Sequence, residues 1–452
     1  MPENEYTLVE YFGKSDGSEC GYCHGLIDGK RSTHGMWAHY MTTAVYQSLI
    51  DRGWRRSGKY CYKPVMNETC CPQYTIKCDV TVNQLTKGQK KCLKRFHNYI
   101  QNDVKPKTLS NEHNSLEHAQ TRSLVKAAET PKQKPNQTNN VQIKDRSRKK
   151  RFQRYQRQVE KLRSRNLTDL QIEEHFKKRI EFKLQKQKPK AIEDYFAFTS
   201  SAKNKLEVKL VSSADASVFD SAQRKNEFTV YKKYQTTIHK DEEDKITEKQ
   251  FQRFLIDSPL KYSEFDQEVS GGSFHQQYWL NGELIAVGVI DILDLCVSSV
   301  YFFYDPSYNF LSLGRISAFQ EIMFTRKLHS SLVNLKYYYM GFYIHSCPKM
   351  KYKGEYSGSF LLCPEAYSWH PIEEVSHLLD VQRYTRFAAE GAPKAPPGSL
   401  KDLLVLFDQT AMTYIQYRQK TGSNKDEDKE VLDICQLIGK RATEFDFVLY
   451  RG

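Results

Sequence analysis

The apolar positions change period several times along the chain. Over Ser32 to Arg55 they fall at Met36, Trp37, Tyr40, Met41, Ala44, Val45 and Leu49, a spacing that predicts a helix. Tyr60 to Lys77 alternates Tyr, Val and Ile with turn residues and predicts strands. From Val104 to Asp145 the periodicity vanishes under Pro, Asn, Gln, Ser and Lys, which predicts a flexible insert. Beyond Ala191 it returns. Asn281-Gly282 between the runs Gln276–Leu280 and Glu283–Ile290 predicts a hairpin with a type I′ turn. Ser298–Tyr304 reads as a third strand, ending at Asp305-Pro306. Ser312-Leu313-Gly314 then opens a helix running from Arg315 to Leu328. Tyr337–Ile344 is a further strand in which Gly341 marks a bulge or a close backbone approach. Leu400 to Tyr417 predicts a helix entered from Pro396-Pro397-Gly398-Ser399, with Ser399 and Asp402 spaced as a capping box.

These elements give an α+β chain in three parts. Residues 1–103 form a small cysteine-rich domain, 104–190 an insert with a basic helix, and 191–452 an α/β domain. Hairpin, strand, helix, strand is the element order of an N-acetyltransferase-like core. Charge adds a partner class. The 68 Lys and Arg against 54 Asp and Glu leave +14, which favours a polyanion such as nucleic acid or an acidic membrane surface. Lys144 to Arg163 concentrates ten basic residues against two acidic ones, with Phe152 and Tyr155 interleaved. That run reads equally as an RNA-contacting helix, a nuclear-localisation patch or a solvated helix. Met1 to Glu10 lacks the basic start and apolar run of a secretory leader. The most apolar stretch, Leu284 to Tyr304, is broken by Asp291 and Asp294 and reads as strands, so no membrane association is expected. The expected location is the cytoplasm and nucleus, with the chain as a monomer. In that reducing setting cysteines serve as thiols, metal ligands or catalytic groups more often than as disulfides.

The cysteines are crowded. Seven of the eleven (Cys20, Cys23, Cys61, Cys70, Cys71, Cys78 and Cys92) lie in the first hundred residues. The two-residue spacing of Cys20 and Cys23 lets both thiolates face one ion, and Cys70-Cys71 can supply the other half where Pro72 helps the backbone kink. Four thiolates suit zinc or an iron–sulfur cluster. His24 is an alternative ligand.

The cysteine motif is flanked by longer strings. Cys20-Gly21-Tyr22-Cys23, Gly53-Trp54-Arg55-Arg56-Ser57-Gly58, Tyr62-Lys63-Pro64 and Thr69-Cys70-Cys71-Pro72-Gln73-Tyr74 resemble the N-terminal domain of eukaryotic arginyl-tRNA–protein transferases. The C-terminal half resembles the same family. Its matching strings are Tyr231–Gln235, Phe274–Leu280, Leu284–Asp291, Ser298–Tyr301, Leu311–Gly314 and Tyr337–Lys353. The resemblance implies an acyltransferase-like domain that uses arginyl-tRNA in place of coenzyme A. It implies acceptors beginning with Asp, Glu or oxidised Cys, which are thereby marked for ubiquitin-dependent degradation. For the cysteine domain it implies an iron–sulfur cluster or zinc. Arg315 departs from the smaller or apolar residue expected after Leu313-Gly314, and Cys61, Cys78 and Cys92 widen the choice of ligands.

The chemistry has its own requirements. An aminoacyl ester is already activated, whereas an α-amine with a pKa of about 7.7–8.0 is mostly protonated at neutral pH. A proton acceptor, a partner for the acceptor's acidic side chain and a partner for the guanidinium are all needed. Asp291 ends an apolar strand, where a charge must face a cleft or a partner. It is the first candidate for a catalytic or guanidinium-binding carboxylate, and a strand-end cap is its plainer reading. Gln277 on the facing strand is a candidate for orienting the reacting groups, His345 for a base, and Tyr278 for substrate contact. Ser312, Leu313 and Gly314 form a loop suited to an aminoacyl-adenosine end. Lys349 and Lys353 lie in a basic run that can meet tRNA phosphate or the acceptor's acid. Cys347 and Cys363 read as buried structural thiols. Two rivals stand beside this reading. A coenzyme-A-dependent N-acetyltransferase would want more than the single glycine of Leu311–Arg315 in its pyrophosphate loop. A non-enzymatic RNA-binding zinc protein leaves the polar residues of the α/β core unexplained.

Overall fold

The computed structural model describes residues 6–23, 31–106, 156–165, 167–186, 190–214, 221–265, 269–422, 425–444 and 447–452. The strands, in chain order, are β1 (Thr7–Ser18), β2 (Arg31–Tyr40), β3 (Arg55–Ser57), β4 (Tyr60–Pro64), β5 (Tyr74–Asp79), β6 (Leu206–Ser212), β7 (Ser263–Glu264) and β8 (Ser270–Leu280). They continue with β9 (Glu283–Ile292), β10 (Cys296–Tyr304), β11 (Tyr337–Tyr343), β12 (Ser359–Leu362), β13 (Trp369–Pro371), β14 (Leu404–Phe407), β15 (Thr410–Thr413) and β16 (Phe447–Arg451). The helices used below are α1 (Thr43–Ile50), α2 (Lys87–Asn102), α3 (Ser221–Tyr234), α4 (Leu313–His329) and α5 (Tyr414–Thr421).

Two sheets result. One runs β15-β14-β16-β1-β2-β4-β3, and the other β13-β12-β5-β11-β10-β9-β8-β6 with β7 alongside β8. The expected separation of residues 1–103 from 191–452 gives way to an interleaved arrangement. β5 lies between β11 and β12, and β1 pairs in parallel with β16, so residues 1–108 and 192–452 form one compact unit. The reason is that Tyr74, Thr75, Ile76, Lys77 and Cys78 are all buried. A strand buried on both faces belongs in the middle of a sheet and cannot close a small domain of its own. Residues 109–191 form a second unit, whose described part includes the helix Asp169–Lys186. Most of the expected insert, from residue 107 on, lies outside the described residues, as do residues 144–155 of the basic run.

The C-terminal reading holds in order. Asn281 (φ 52°) and Gly282 (φ 86°) make the hairpin turn between β8 and β9, β10 follows, and α4 crosses over to β11, which runs parallel to β10. Two expectations are corrected. Only the second half of Ser32–Arg55 is helical, because α1 begins after Thr42, whose hydroxyl accepts from Val45 N–H at 3.2 Å. The first half is β2, where Met36 and Ala38 alternate into the core. There Gly35 lets the Tyr60 ring approach closer than any Cβ would permit. Leu400–Tyr417 is also not one helix. Leu403 and Val405 are buried at a period of two, and Asp408 and Gln409 both take positive φ, folding the segment into the β14–β15 hairpin. The capping box that starts a helix here is Thr413 with Gln416, opening α5.

A buried polar cluster ties α3 to the central hairpin. His275 and Glu227 are fully buried, with the imidazole Nδ1 at 2.6 Å from the Glu227 carboxylate and Nε2 at 3.1 Å from the Leu255 carbonyl. With both ring nitrogens facing acceptors, the imidazolium is the form that satisfies them. Burial alone would depress its pKa, but the Glu227 charge overrides this and holds it above the ordinary 6.5. A raised folded pKa gives stability that is complete below pH 6.5 and is lost as pH rises through the folded value. Denaturant stability is therefore expected to fall across that window, with a slope of at most about 1.4 kcal/mol per pH unit, the value for one proton. His275→Gln should flatten the slope, and an equal slope in that variant would assign it elsewhere.

Candidate active site and metal centre

β10 and β11 pair over only three residues, Cys296–Ser298 against Tyr337–Tyr339. Beyond that point they splay. β10 shifts register against β9 between Ser299 and Tyr301, and β11 shifts against β5 between Tyr339 and Phe342, where Gly341 has φ 71°. The gap between them is a cleft of about 520 Å³. Ser299 to Phe302 line one wall and Tyr338, Met340, Gly341 and Phe342 the other, and Gly314, Ser317 and Ala318 bring the N-terminal end of α4 to it. The positive end of a helix macrodipole there favours negative charge.

The cleft is aromatic and cationic. Tyr22, Tyr62, Tyr234, Tyr304 and Tyr352 line it together with Arg55, Arg56, His239 and Lys353. Arg55 is buried, with its guanidinium donating to the carbonyls of Ile50, Trp54 and Gly341 and no carboxylate bridged to it among the described residues. Lys353 Nζ donates to the carbonyls of Met340 (2.7 Å) and Phe342 (3.0 Å). Burial lowers its pKa to about 8. Burial likewise lowers that of His239, which favours its neutral imidazole. No Asp or Glu lines the cleft among the described residues.

The candidates read from the sequence are distributed unevenly around it. Gly314 and Lys353 line the cleft. Ser312 caps α4 with φ 56°, whereas Leu313 is core. Asp291 does not face the cleft. It is fully buried, and both its oxygens accept from Arg56, Nε at 2.8 Å and Nη2 at 2.5 Å, which binds β3 of one sheet to β9 of the other. Gln277 is also buried away from the cleft, donating to Glu227 at 2.8 Å and accepting from Trp279 at 3.0 Å. Tyr278 is core, its hydroxyl donating to Gln276. His345 lies outside, held by Tyr343 and Asp380 at 2.7 Å each. Lys349 is exposed and does not line the cleft. The departure at Arg315 finds a place, with its guanidinium 5.7 Å from the centre of the Tyr352 ring. Arg55, His239 and Tyr22 were missed as site residues, although Arg55 and Tyr22 stand inside the strings that carry the family resemblance.

The cysteine site forms beside the cleft. The sulfurs of Cys20, Cys23, Cys70 and Cys71 all lie within 4.8 Å of one another, and all four residues are buried. Four thiolates bound to one zinc at about 2.3 Å stand about 3.8 Å apart, so the set fits a tetrahedral ion. Cys23 and Cys70 are 3.6 Å apart. Burial and the neighbouring thiols push the Cys70 thiol up to about 12, a strain that a cation at the centre removes. Cys61, Cys78 and Cys92 lie in the hydrophobic cores and outside this group, and His24 is outside the described residues. All eleven cysteines are buried and unbridged. Tyr22, between Cys20 and Cys23, lines the cleft.

Family models for the N and C termini of arginine-tRNA-protein transferase match residues 18–91 and 226–363. The chain is 36% identical to arginyl-tRNA–protein transferase 1 of Drosophila melanogaster, over 96% of this chain and 97% of the relative. It belongs to the arginyl-tRNA–protein transferase family. A second relative, arginyl-tRNA–protein transferase 2 of Arabidopsis thaliana, is 31% identical over 81% of this chain and 76% of its own. An aspartate/glutamate leucyltransferase of Campylobacter jejuni is 29% identical over 29% of this chain and 51% of its own. The two matched family regions contain both the cysteine site and the splayed strands, so the family's signature covers the whole of the constellation described above. No described helix is long and apolar enough to cross a membrane.

Proposed function

We propose that the cleft between β10 and β11 is where arginine passes from arginyl-tRNA to the N-terminal amine of proteins beginning with Asp, Glu or oxidised Cys. One observation carries this reading. The cleft presents Arg55 and Lys353 without a lining carboxylate, so an acidic side chain entering it finds the partner it needs. The bacterial relative is named for aspartate and glutamate acceptors, which fits the same charge. In the reaction the amine nitrogen attacks the ester carbonyl. A C–N bond forms, the C–O bond to the tRNA ribose breaks, and the ribose oxygen takes a proton as the amine loses one. His239, whose neutral form burial favours, is able to accept the amine proton, and the N-terminal end of α4 favours the negative charge that develops on the carbonyl oxygen. Aromatic rings such as Tyr304 and Tyr352 suit stacking of the terminal adenosine. Products of this transfer are destined for ubiquitin-dependent degradation.

For the cysteine site the reading is a single tetrahedral ion such as zinc. A cluster inserts several iron and sulfide atoms between the thiolates and spreads them further than the spacing here. Acid-labile sulfide in stoichiometric amount after anaerobic purification would overturn this.

The function is tested with an Asp-start and an Asn-start peptide and arginyl-tRNA. The Asp peptide should gain the mass of one arginyl residue, dependent on charged tRNA, while the Asn peptide reacts at least roughly tenfold more slowly, the scale of one charge-assisted contact. Lys353→Met should narrow that gap. Equal rates for the two peptides would refute the acidic specificity. The net charge of +14 further implies that tRNA affinity falls steeply between about 50 and 200 mM salt.

A further inference from the structure

The transferred residue carries a guanidinium, and a site that selects it needs a matching acceptor. Asp291 is occupied by Arg56. Another buried carboxyl lies behind the cleft wall. Glu321 lies one helical turn beyond Ser317, on the face of α4 turned to the splay. It is 1% exposed, and neither carboxyl oxygen has a hydrogen bond of normal geometry. Burial raises its pKa to about 7, and the hydroxyls of Tyr338 and Ser299 offset this only in part. Both of those residues line the cleft, one on each of the splayed strands. Gly288 of β9 leaves the carboxyl its room, since a Cβ there would stand 3.3 Å from Oε1. A buried carboxyl that forms no ion pair works against folding, and native structures rarely keep one without a use.

We propose that Glu321, with the hydroxyls of Ser299 and Tyr338, receives the guanidinium of the arginyl group and so determines which aminoacyl-tRNA serves as donor. This rests on the reading of the cleft as the transfer site. The two hydroxyls stand between the carboxyl and the cleft, and their oxygens can accept from guanidinium N–H groups. The carboxylate behind them supplies the opposite charge, which a neutral side chain of the same length would leave uncompensated. Lys353 acts on Glu321 only through its charge, since the hydrogen bonds its ammonium makes go to the carbonyls of Met340 and Phe342.

The test uses the full chain with tRNA acylated chemically by arginine or by citrulline, the uncharged isostere, and an Asp-start peptide. The parent should prefer the arginyl donor by roughly ten- to a hundredfold, the scale of a hydrogen bond to a charged group. Glu321→Gln should bring the ratio to within a few-fold, chiefly by raising the concentration of arginyl-tRNA needed for half-maximal rate. Its melting temperature should be no lower than the parent's, because the variant removes a buried carboxyl that forms no ion pair. Ser299→Ala, which leaves Glu321 in place, should shrink the ratio in part. If Glu321→Gln slows both donors equally and keeps the ratio, Glu321 is structural and the proposal fails. If Asp241→Asn, at an exposed position in the groove next to the cleft, abolishes the preference instead, the guanidinium binds there and the proposal fails too. A parent that transfers nothing from arginyl-tRNA refutes the transfer site itself, a result distinct from either.

Discussion

Asp291→Asn is expected to lower the stability of the whole protein by about 3–5 kcal/mol, the range for breaking a buried ion pair from one side. The substitution removes the counter-charge and turns one of the two acceptor oxygens facing Arg56 into an NH2 donor, so the fully buried guanidinium keeps only a neutral amide oxygen, Ser273 and Gly58 as acceptors. Because the pair joins β3 to β9, the loss spreads to both sheets. Transfer activity should disappear in proportion to the folded fraction, and the molecules that remain folded should turn over at close to the parental rate. Replacing the pair together, Arg56→Met with Asp291→Leu, should recover most of the stability, since apolar side chains of similar volume need no counter-charge. Urea denaturation of the three proteins, with single-turnover rates normalised to folded protein, separates the two roles. A fully stable Asp291→Asn protein with transfer reduced by a hundredfold would return Asp291 to catalysis.

Removal of the four thiols should act more strongly still. Serine at Cys20, Cys23, Cys70 and Cys71 is expected to abolish metal binding, and the stabilisation at stake is on the order of 10 kcal/mol, the scale of structural zinc sites in small domains. The loop bearing Tyr22 then loses its anchor, so transfer falls together with metal content. Cys347, packed against the same cluster but not among the four, is the control. Cys347→Ala should keep its metal. Elemental analysis and thermal unfolding of both variants decide the matter, and undiminished metal in the four-fold variant would refute the ligand set.

The order of strands from Gln276 to Ile344 was legible because each element carries a local signal, such as Asn281-Gly282 in the turn or Gly341 at the bulge. The convergence of Cys20 and Cys23 was legible for the same reason. What failed were inferences about facing. Asp291 sits at the end of an apolar strand in either reading, and only its neighbour in space, Arg56, decides between cleft and core. Arg56 lies 235 positions away, beyond the reach of any local pattern. The β14–β15 hairpin was missed because Leu403, Val405 and Phe407 lie within a stretch whose spacing also satisfies a helix. A sign of Glu321 was present and unread. Ser317, Glu321 and Thr325 repeat every four residues along α4 and are all buried, a polar stripe on an inward face that demands a partner.

The parallel pairing of β1 with β16 sets a timetable for biosynthesis. Roughly 440 residues separate Thr7 from its partner Phe447. At about 5–20 residues per second, the ribosome needs about 20–90 s to supply that partner. Until then the first strand has an open edge, and β5 itself waits about 260 residues for β11, its first neighbour, so the nascent N-terminal segment stays incomplete. Nascent chains of this protein should therefore depend on chaperones for nearly the whole of translation, and two separately expressed halves should regain a fold only when mixed.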